Sequence, residues 1–325
     1  MNYTVGVDIG GTFTDCVAMD EQGAITIGKA LSTPLDFSQG AILAVRDAAN
    51  NLGLRDEEEL LTSTRLFFHA CTIGDNTLIT RAGAKTGLIT TKGFGDTLLI
   101  MRGRNSDGLT ESEVFHVSAQ TKPEPIIPRS LIEEVTERID YKGSIWIDLD
   151  TEEAGQIIDK LIAQGVESVA VSLLWSVTND SHEKALAQLI KKLAPNIFLS
   201  LSSDVAPYLG EYERTATTAM NSMLGPPVVQ RLSEIRAMLV RQGLKPEALF
   251  IMQSSGGLAE SNAVLDRPVN LLQSGPSGGT VAGKYLGELI GSKRLLCIDM
   301  GGTSFDVSLV HDGVYEYTTV SRVAG

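Results

Sequence analysis

Two short segments that lie far apart in the chain contain the residue types that proteins use to hold phosphate groups. Residues Asp8–Asp15 have the sequence DIGGTFTD and residues Asp299–Asp306 have the sequence DMGGTSFD, so both follow the pattern D-x-G-G-T-x-x-D. The two copies are offset by 291 residues (299 − 8). Because solenoid repeats recur every few tens of residues, this long offset predicts two similar domains instead.

The chemistry expected of these segments is the binding of an anion by backbone N–H groups. A Gly-Gly turn between two strands leaves its N–H groups open to phosphate oxygens, and a Cβ there would block the close approach. The hydroxyls of Thr12 and Thr303 add further donors. The residues predicted to form the phosphate site are Gly10, Gly11, Thr12, Thr14, Asp15, Gly301, Gly302, Thr303 and Asp306.

The acidic residues of the two segments suggest a cation beside the phosphates. Asp8 and Asp299, each at the end of a predicted strand, are the predicted ligands of Mg²⁺ or its waters and the candidates for a general base. Two roles stay open for Asp15 and Asp306, either the same metal chemistry or the fixing of a turn. The alternative for the whole pattern is a pair of ordinary glycine-containing hairpins, which two copies in the same register disfavour.

The elements that would position these loops are short strands rich in Val and Ile. Three strands, Tyr3–Ile9, Asp15–Asp20 and Ala24–Ala30, predict an antiparallel meander at the start, followed by a helix over Asp36–Leu52. A second meander is predicted near the other end, with strands Leu295–Asp299, Phe305–Val310 and Val314–Val320. Each phosphate segment therefore connects the first two strands of a meander.

The middle of the chain alternates between helical and strand patterns, which is typical of a layered α/β fold. Capping-box spacings predict two helix starts, at Asp150 with Glu153 and at Asp180 with Glu183. The apolar run Val166–Leu173 predicts a strand covered on both faces. Further predictions are a hairpin formed by Glu133–Asp140 and Ser144–Leu149, and a helix interrupted at Gly225-Pro226-Pro227.

Composition and charge exclude several classes of function. The chain has 325 residues, 43% hydrophobic and 21% charged, which is ordinary for a globular protein of about two domains. A net charge of −13 argues against a nucleic-acid partner and gives no reason to expect an anionic membrane surface. Three cysteines without a CxxC motif, no signal-peptide pattern and no long apolar stretch predict a cytoplasmic protein.

Several segments together resemble the hydantoinase A / 5-oxoprolinase / acetone carboxylase β-subunit family. The segments that carry the resemblance are Gly10–Asp15, Gly83–Phe94, Glu137–Asp140 with Gly143, His182-Glu183, Tyr212–Thr218, Gln253–Gly257 and Ser274–Pro276. The similarity runs from residue 3 to the end of the chain. One departure is Ala70-Cys71, where the family usually has a Gly-Thr pair, although His69, Thr72 and Asn76 are kept.

The resemblance implies an α/β fold of the ribonuclease-H-like type, the two-domain fold of actin, heat-shock ATPases and sugar kinases. It implies a hydantoinase/oxoprolinase N-terminal domain over residues 1–200 and the start of a hydantoinase A domain, incomplete here, over residues 201–325. ATP and Mg²⁺ are the implied cofactors, held between the two phosphate loops.

The activity that the resemblance implies is ATP-dependent phosphorylation of an amide or carbonyl oxygen, foremost for hydrolysis of a cyclic amide of the hydantoin or 5-oxoproline type. Two alternatives stay open, a subunit of a ketone carboxylase and a non-catalytic scaffold subunit; a sugar-kinase activity is disfavoured. The implied partners are a cyclic amide or ketone, a hydantoinase B-like subunit, and a chain or segment that completes the ATP cleft.

Three other residues allow more than one role. His182 stands in the first turn of a predicted helix, which favours capping or solvent contact over a site role. His69 ends a predicted strand, and a site role and a structural role are equally open. Arg214 has two equal alternatives, contact with a substrate or partner and an ion pair on a helix surface.

Overall fold

The computed structural model describes residues 2–33, 37–103, 109–116, 118, 124–300 and 305–315. The chain divides into two compact units, one formed by Met1–Thr80 with Pro227–Val320 and the other by Arg81–Pro226 with Ser321–Gly325. We call them the first unit and the inserted unit, because the second interrupts the sequence of the first. The predicted domain boundary at residue 200 stays a prediction.

The described residues form strands and helices that alternate along much of the chain. The strands are β1 (Tyr3–Ile9), β2 (Phe13–Met19), β3 (Ile25–Leu31), β4 (Thr64–Cys71), β5 (Thr86–Thr91), β6 (Ile132–Val135), β7 (Arg138–Ile139), β8 (Ile145–Ile147), β9 (Ser168–Ser172), β10 (Phe198–Leu201), β11 (Leu249–Met252), β12 (Leu258–Glu260), β13 (Leu295–Met300), β14 (Phe305–His311) and β15 (Val314–Tyr315). The α-helices are α1 (Phe37–Asn51), α2 (Glu57–Thr62), α3 (Ile73–Ile79), α4 (Thr97–Ile100), α5 (Glu111–Val114), α6 (Thr151–Ala163), α7 (Ser181–Leu193), α8 (Ser202–Val205), α9 (Glu211–Arg241) and α10 (Ser274–Ile290).

The first unit contains a six-stranded sheet in the order β12-β11-β4-β1-β2-β3. Strands β1, β4 and β11 run parallel, whereas β2, β3 and β12 pair antiparallel with their neighbours. The predicted opening meander is therefore confirmed. Helix α1 packs closely against it at Gly28, where a Cβ would stand 2.3 Å from the carbonyl oxygen of Ala44.

The inserted unit contains a four-stranded parallel sheet in the order β10-β9-β5-β6. All five residues of β9 are buried, as the apolar run Val166–Leu173 predicts. Helix α6 begins at Asp150, whose carboxylate accepts N–H bonds from Glu152 and Glu153 at 3.1 and 2.9 Å. The parallel sheet, its buried strand β9 and helix α6 confirm the predicted layered α/β organisation.

The second meander, formed by β13, β14 and β15, repeats the register of the first. Asp299 pairs with Asp306 across β13 and β14, as Asp8 pairs with Asp15 across β1 and β2. The sequence repeat is thus a structural repeat in the part of the chain that the structure describes. The predicted third strand is described only as Val314–Tyr315.

Helix α9 runs without interruption through Gly225-Pro226-Pro227, so the predicted break is wrong. A proline inside a helix has no N–H to donate to the carbonyl oxygen four residues earlier. For Pro227, that carbonyl belongs to Met223. The backbone N–H of Ala84 donates to that carbonyl at 2.9 Å. A tertiary hydrogen bond therefore replaces the one that proline removes.

Two smaller predictions also need correction. The predicted strand Glu133–Asp140 is split, because β6 joins the parallel sheet and only β7 forms the hairpin with β8. Asp180 precedes α7 but makes no side-chain cap, and Glu183 turns into the protein interior instead. Among the helices in the described ranges, none has the length and apolarity needed to cross a membrane.

Candidate phosphate-binding site

The first predicted phosphate loop is a tight turn between β1 and β2. The Gly10 N–H donates to the Phe13 carbonyl at 3.0 Å and closes the turn, while Gly11 and Thr12 are exposed. A Cβ on Gly10 would stand 3.0 Å from the Phe13 carbonyl oxygen, which is tighter than ordinary packing allows. The turn therefore presents backbone at the surface, as the binding of an anion requires.

Ser32 supports this turn from below, a role that the sequence did not reveal. Its hydroxyl donates to the Gly10 carbonyl at 2.7 Å and its N–H donates to the Thr12 carbonyl at 3.0 Å. The Thr14 hydroxyl lies 3.0 Å from the same Ser32 oxygen and is wholly buried. Since no ligand reaches a buried hydroxyl, Thr14 supports the turn, and we leave its side chain out of the ligand set proposed below.

Asp8 and Asp15 are cross-strand partners and share one face of the sheet. Asp15 forms an ion pair of 2.5 Å with Lys29, whose ammonium also lies 4.8 Å from the centre of the Phe13 ring. Both charges of this pair are about half exposed. Asp15 is thus partly neutralised by a neighbouring strand, which keeps its turn-fixing role open alongside the metal role.

Asp8 is electrostatically the most perturbed carboxylate of this region. Solvent reaches its side chain, yet the surrounding protein desolvates the carboxyl, and the negative charges of Asp15 and Asp299 add to the effect. Together these causes raise the pKa of Asp8 to about 6. Because ionisation of Asp8 is unfavourable in these surroundings, a cation bound beside its carboxylate would be stabilising.

The second loop is described at its two ends only. Gly301, Gly302 and Thr303 lie outside the described residues, so their predicted contacts stay predictions. Asp299 is close enough to Asp8 to raise its pKa, and Asp306 acts in the same way on Asp75. The first unit therefore brings carboxylates from both repeats into one electrostatic region.

The carboxyl ends of the parallel strands β1, β4 and β11 meet at the same edge of the sheet, which is where ligands bind in open α/β sheets. Helix α10 begins at this edge. Asp75 accepts the Gln273 N–H with both carboxylate oxygens, at 2.9 and 3.0 Å, and Ser277 donates to the Ser254 carbonyl at 2.8 Å. Asp75, which the sequence did not single out, thus holds the start of α10 beside the end of β4.

Within the described ranges, no group of three or more His, Cys, Asp or Glu side chains is arranged to hold a metal ion. The acidic residues at the loops instead form cross-strand pairs. Mg²⁺ bound together with a nucleotide takes one or two carboxylates and completes its shell with phosphate oxygens and water. The paired carboxylates fit a Mg²⁺ site that is shared with a nucleotide. They do not fit a site in which protein side chains supply all of the metal ligands.

His69 lies on the other face of the same sheet. It pairs with Val7, whose side chain points away from the Asp8 side, and its Nδ1 is 3.2 Å from the Val7 carbonyl oxygen. The imidazole is buried, and this burial lowers its pKa to about 4. His69 is therefore a neutral core residue at neutral pH, which favours the structural alternative.

The inserted unit has a buried polar cluster at the carboxyl edge of its own parallel sheet. His182 is buried, with Nδ1 2.8 Å from Glu137 Oε2, so the capping or solvent role expected for it is wrong. The Thr91 hydroxyl donates to the other oxygen of Glu137 and accepts the Leu174 N–H at 3.0 Å. The sequence did not single out Glu137 as a functional residue, although Glu137–Asp140 is one of the segments that carry the family resemblance.

Glu183 is the centre of the second half of this cluster. It accepts the N–H groups of Leu173 and Ser203, both at 2.9 Å, and the Ser202 hydroxyl at 2.6 Å. The carboxylate is completely buried. Its hydrogen-bond capacity is used by protein donors, as expected of a buried charge that holds a fold together.

Arg214 joins this cluster from α9 and makes no surface ion pair, so that alternative is wrong. Its guanidinium donates to the hydroxyls of Ser176 and Ser202 and to the Leu173 carbonyl at 2.8 Å. Burial lowers its pKa from the usual value. Segments that carry the family resemblance, far apart in sequence, therefore meet in the interior of the inserted unit.

Comparison with known proteins shows which family this chain belongs to. Residues 4–194 match the family model described as the hydantoinase/oxoprolinase N-terminal region, and residues 214–325 match the one described as hydantoinase/oxoprolinase. The first match alone covers more than half of the chain. The chain belongs to the hydantoinase/oxoprolinase family.

Individual relatives agree with this assignment. The caprolactamase subunit alpha of Pseudomonas jessenii is 34% identical over 311 residues, which are 96% of this chain and 44% of that subunit. The crystal structure of the ATP-dependent caprolactamase from Pseudomonas jessenii matches with a TM-score of 0.82 at 34% identity, covering 94% of this chain and 43% of that one. The nucleotide-free structure of acetone carboxylase matches with a TM-score of 0.88 at 32% identity, covering 96% of this chain and 44% of that one.

These comparisons establish a mixed α/β fold with parallel sheets that is shared with acetone carboxylase and caprolactamase. They also show a difference in length. The chain spans less than half the length of the relatives that it matches.

Proposed function

We propose that the chain forms the ATP-phosphate-binding part of an enzyme that phosphorylates an amide or carbonyl oxygen. The observation that carries the proposal is the repeated acidic hairpin, with Asp8 opposite Asp15 and Asp299 opposite Asp306 in the same register. The electrostatic coupling of Asp8 to Asp299 supports a shared site. The two solved structures described above are of ATP-dependent enzymes.

We propose the ribonuclease-H-like, actin-type fold for the two repeats. In its support, the first sheet has the order β3-β2-β1-β4-β11, with the middle strand of the opening meander antiparallel to β1, β4 and β11. The second meander repeats the start of this arrangement. In such a fold the two Gly-Gly turns face the phosphates of one nucleotide.

The proposed ligands of the phosphates are the backbone of Gly10, Gly11, Gly301 and Gly302 and the hydroxyls of Thr12 and Thr303. Asp8 and Asp299 would hold Mg²⁺ directly or through its waters, and Mg²⁺ would neutralise charge on the phosphates during transfer. Asp15 and Asp306, as their cross-strand partners, would orient those waters. The raised pKa of Asp8 supports this arrangement, since a bound cation offsets the repulsion from Asp15 and Asp299.

Phosphorylation of an oxygen makes an unreactive carbonyl compound susceptible to attack. For a cyclic amide, transfer of the γ-phosphoryl group to the lactam oxygen prepares the carbonyl carbon for water and ring opening. We propose this reaction first, because the matched caprolactamase is an ATP-dependent enzyme named for a lactam. The second candidate is a ketone carboxylase subunit, which the match to acetone carboxylase favours.

The proposed partners follow from the same relatives. The matched caprolactamase chain is named as a subunit, which supports assembly with a second, hydantoinase B-like subunit. Further polypeptide would complete the ATP cleft. We also propose a cytoplasmic location, where ATP and Mg²⁺ are available. If the protein does not bind ATP, the non-catalytic scaffold is the remaining alternative.

Calorimetric titration with Mg·ATP tests the proposal, on the chain alone and on the chain mixed with a hydantoinase B-like subunit and the rest of a family subunit. Asp8→Ala and Asp299→Ala should each weaken binding by about 100-fold, since each removes a metal-side carboxylate. Glu247→Ala, at an exposed position of the first unit, is the matched control and should bind like the parent chain. Absence of Mg·ATP binding in both states would leave only the scaffold alternative.

Turnover separates the two enzymatic candidates. ATP consumption that depends on a cyclic amide supports the hydrolase, whereas consumption that depends on a ketone together with bicarbonate supports the carboxylase. ATP consumption with neither substrate class would contradict both.

A further inference from the structure

Lys29 stands on the acidic face of the first hairpin and has no part in the ligand set proposed above. It lies on β3 opposite Asp15, which in turn lies opposite Asp8, so the three residues form a row across β3, β2 and β1. The Lys29 ammonium is 2.5 Å from Asp15 Oδ1. Because residues directly opposite each other in paired strands share a face of the sheet, this row joins a cation to the carboxylates of the candidate site.

The ammonium of Lys29 also lies close to the Gly-Gly turn. It is 4.8 Å from the centre of the Phe13 ring, and Phe13 directly follows the exposed Thr12 of the turn. The Phe13 carbonyl accepts the Gly10 N–H that closes the turn. The cation therefore stands beside the first residue of β2, at the end of the turn that we propose for the phosphates.

The backbone of Lys29 is held in place, whereas its charged end is accessible. Its N–H donates to the Asp47 carboxylate of α1 at 2.9 Å, and Ser32, three residues later, supports the turn. The side chains of Lys29 and Asp15 are 52% and 46% exposed. Because an exposed ion pair of this kind contributes little to stability, the ammonium can leave Asp15 at little cost to the fold. The flexible four-carbon stem of lysine allows it to turn toward the loop.

The charges of the candidate site show why a bound phosphate would need this cation. Besides being desolvated, Asp8 experiences the negative charges of Asp15 and Asp299. The phosphates of a nucleotide would add more negative charge, and Mg²⁺ shared between carboxylates and phosphates neutralises only part of the total. Phosphate sites commonly complete the balance with a lysine or arginine that donates to phosphate oxygens. Lys29 is the cation that the structure pairs with a carboxylate of the first hairpin.

The two sequence repeats differ in this cation. In the first repeat, Lys29 follows Asp15 by 14 residues, whereas no lysine or arginine stands between Asp306 and Arg322 in the second. The two Gly-Gly loops therefore share one sequence pattern but differ in charge. A phosphate held by the first loop would have a lysine beside it that the second repeat does not supply.

We propose that Lys29 is a phosphate-binding residue, whose ammonium exchanges Asp15 for a phosphate oxygen at the first loop when Mg·ATP binds. The inference rests on the proposed function, because it requires the phosphates to lie at the Gly-Gly turns. The exchange frees the Asp15 carboxylate to accept hydrogen bonds from water bound to Mg²⁺, which is the role proposed for it above. Without nucleotide, the ion pair limits the repulsion between Asp15 and Asp8.

The alternative role for Lys29 is that of a counter-ion, which neutralises Asp15 and does not touch the nucleotide. Both roles predict that Lys29→Gln weakens nucleotide binding, because an uncompensated Asp15 carboxylate would repel phosphate. The two roles differ once Asp15 has lost its charge. A counter-ion then has nothing to neutralise, whereas a phosphate ligand keeps its effect, and a double-mutant cycle measures this difference.

Calorimetric titration with Mg·ATP tests the proposal, on the full chain in the state in which the parent protein binds. The variants are Asp15→Asn, Lys29→Gln and the two together. We expect the double variant to bind about 10- to 100-fold more weakly than Asp15→Asn alone, which is the loss expected for a hydrogen bond between charged groups. Lys245→Gln, at an exposed lysine of the first unit, is the matched control and should change the affinity by less than about twofold.

The outcomes separate this proposal from the proposed function. Equal affinities of Asp15→Asn and the double variant would overturn the phosphate-binding role of Lys29 and leave the ATP site itself standing, because the parent protein would still bind. Absence of Mg·ATP binding by the parent protein in every state would overturn both. Since the side chains of Lys29 and Asp15 are about half exposed, each variant should retain the near-ultraviolet circular dichroism of the parent chain.

Discussion

The two parallel sheet edges of this protein handle their carboxylates in opposite ways. In the inserted unit, Glu183 is completely buried and accepts three hydrogen bonds from Leu173, Ser202 and Ser203. In the first unit, solvent reaches Asp8, yet desolvation by the surrounding protein, followed by the charges of Asp15 and Asp299, raises its pKa. The chemical groups are the same, and only their surroundings differ.

This difference separates carboxylates that stabilise the fold from those available to a ligand. Burial of a charge is tolerated when protein donors satisfy it, and the result is a fixed internal network. A carboxylate that repels its neighbours stores an electrostatic cost that a cation relieves. We therefore assign a stabilising role to the inserted-unit cluster, and ligand binding at the first-unit loops stays the proposal made above.

The largest effect should come from removing a satisfied carboxylate. Glu183→Ala should lower the free energy of unfolding by about 4 kcal/mol, because it leaves three donors without their acceptor and the buried Arg214 guanidinium without the nearby opposite charge. Glu124→Ala, which removes an exposed carboxylate 3.5 Å from Arg81, should cost less than about 0.5 kcal/mol. Chemical denaturation measures both, and equal costs would remove the distinction between the two sheet edges.

The next effect concerns the buried imidazole beneath the first-unit sheet. Since the folded pKa of His69 is lowered to about 4, the unfolded chain binds this proton first as the pH falls. Stability from this group is present above about pH 6.5 and is lost between there and about pH 4, by about 3 kcal/mol in total. His69→Phe should lack this component of the acid dependence, measured by urea titration at pH 7 and pH 4.5. An unchanged acid dependence would show that folding does not lower the pKa of His69.

Ser32→Ala tests the support beneath the first loop. It removes the bond to the Gly10 carbonyl and leaves the buried Thr14 hydroxyl without its Ser32 partner, at a cost of about 1 to 2 kcal/mol. The loss should also weaken Mg·ATP binding, since the Gly-Gly turn would no longer be held. Ser130→Ala, at an exposed position, is the control for both measurements. Weakened stability with unchanged binding would mean that the turn is not part of the ligand site.

The smallest expected effect is an increase in stability, whereas the preceding substitutions concern losses of stability. Because the folded pKa of Asp8 is raised to about 6, its stability contribution is complete below about pH 3.8 and is lost as the pH rises through 6. Asp8→Asn should therefore be more stable than the parent chain at pH 8, by about 1 kcal/mol after allowance for solvent screening, and equal to it at pH 4. Thermal unfolding at both pH values measures this. A loss of stability at pH 8 would show that Asp8 is a structural carboxylate like Glu183.

The parts that the sequence predicted correctly depend on local signals. The β1–β3 meander, the cap at Asp150 and the buried strand β9 follow from turn residues, a capping side chain and an unbroken apolar run. The interrupted helix was wrong because the Ala84 bond that replaces the one lost at Pro227 comes from a residue far away in sequence. His182 was misjudged for the same reason, since its partner Glu137 lies 45 residues earlier.

The sequence by itself determined the repeated D-x-G-G-T-x-x-D hairpin and the place of its acidic pair, because turn chemistry and strand alternation act over a few residues. Only the tertiary structure decided which carboxylates are satisfied, since donors such as Ser202 reach Glu183 from another strand end. It also decided that the side chain of His182 is buried beside Glu137. Burial depends on which distant elements pack together, and that information is spread over the whole chain.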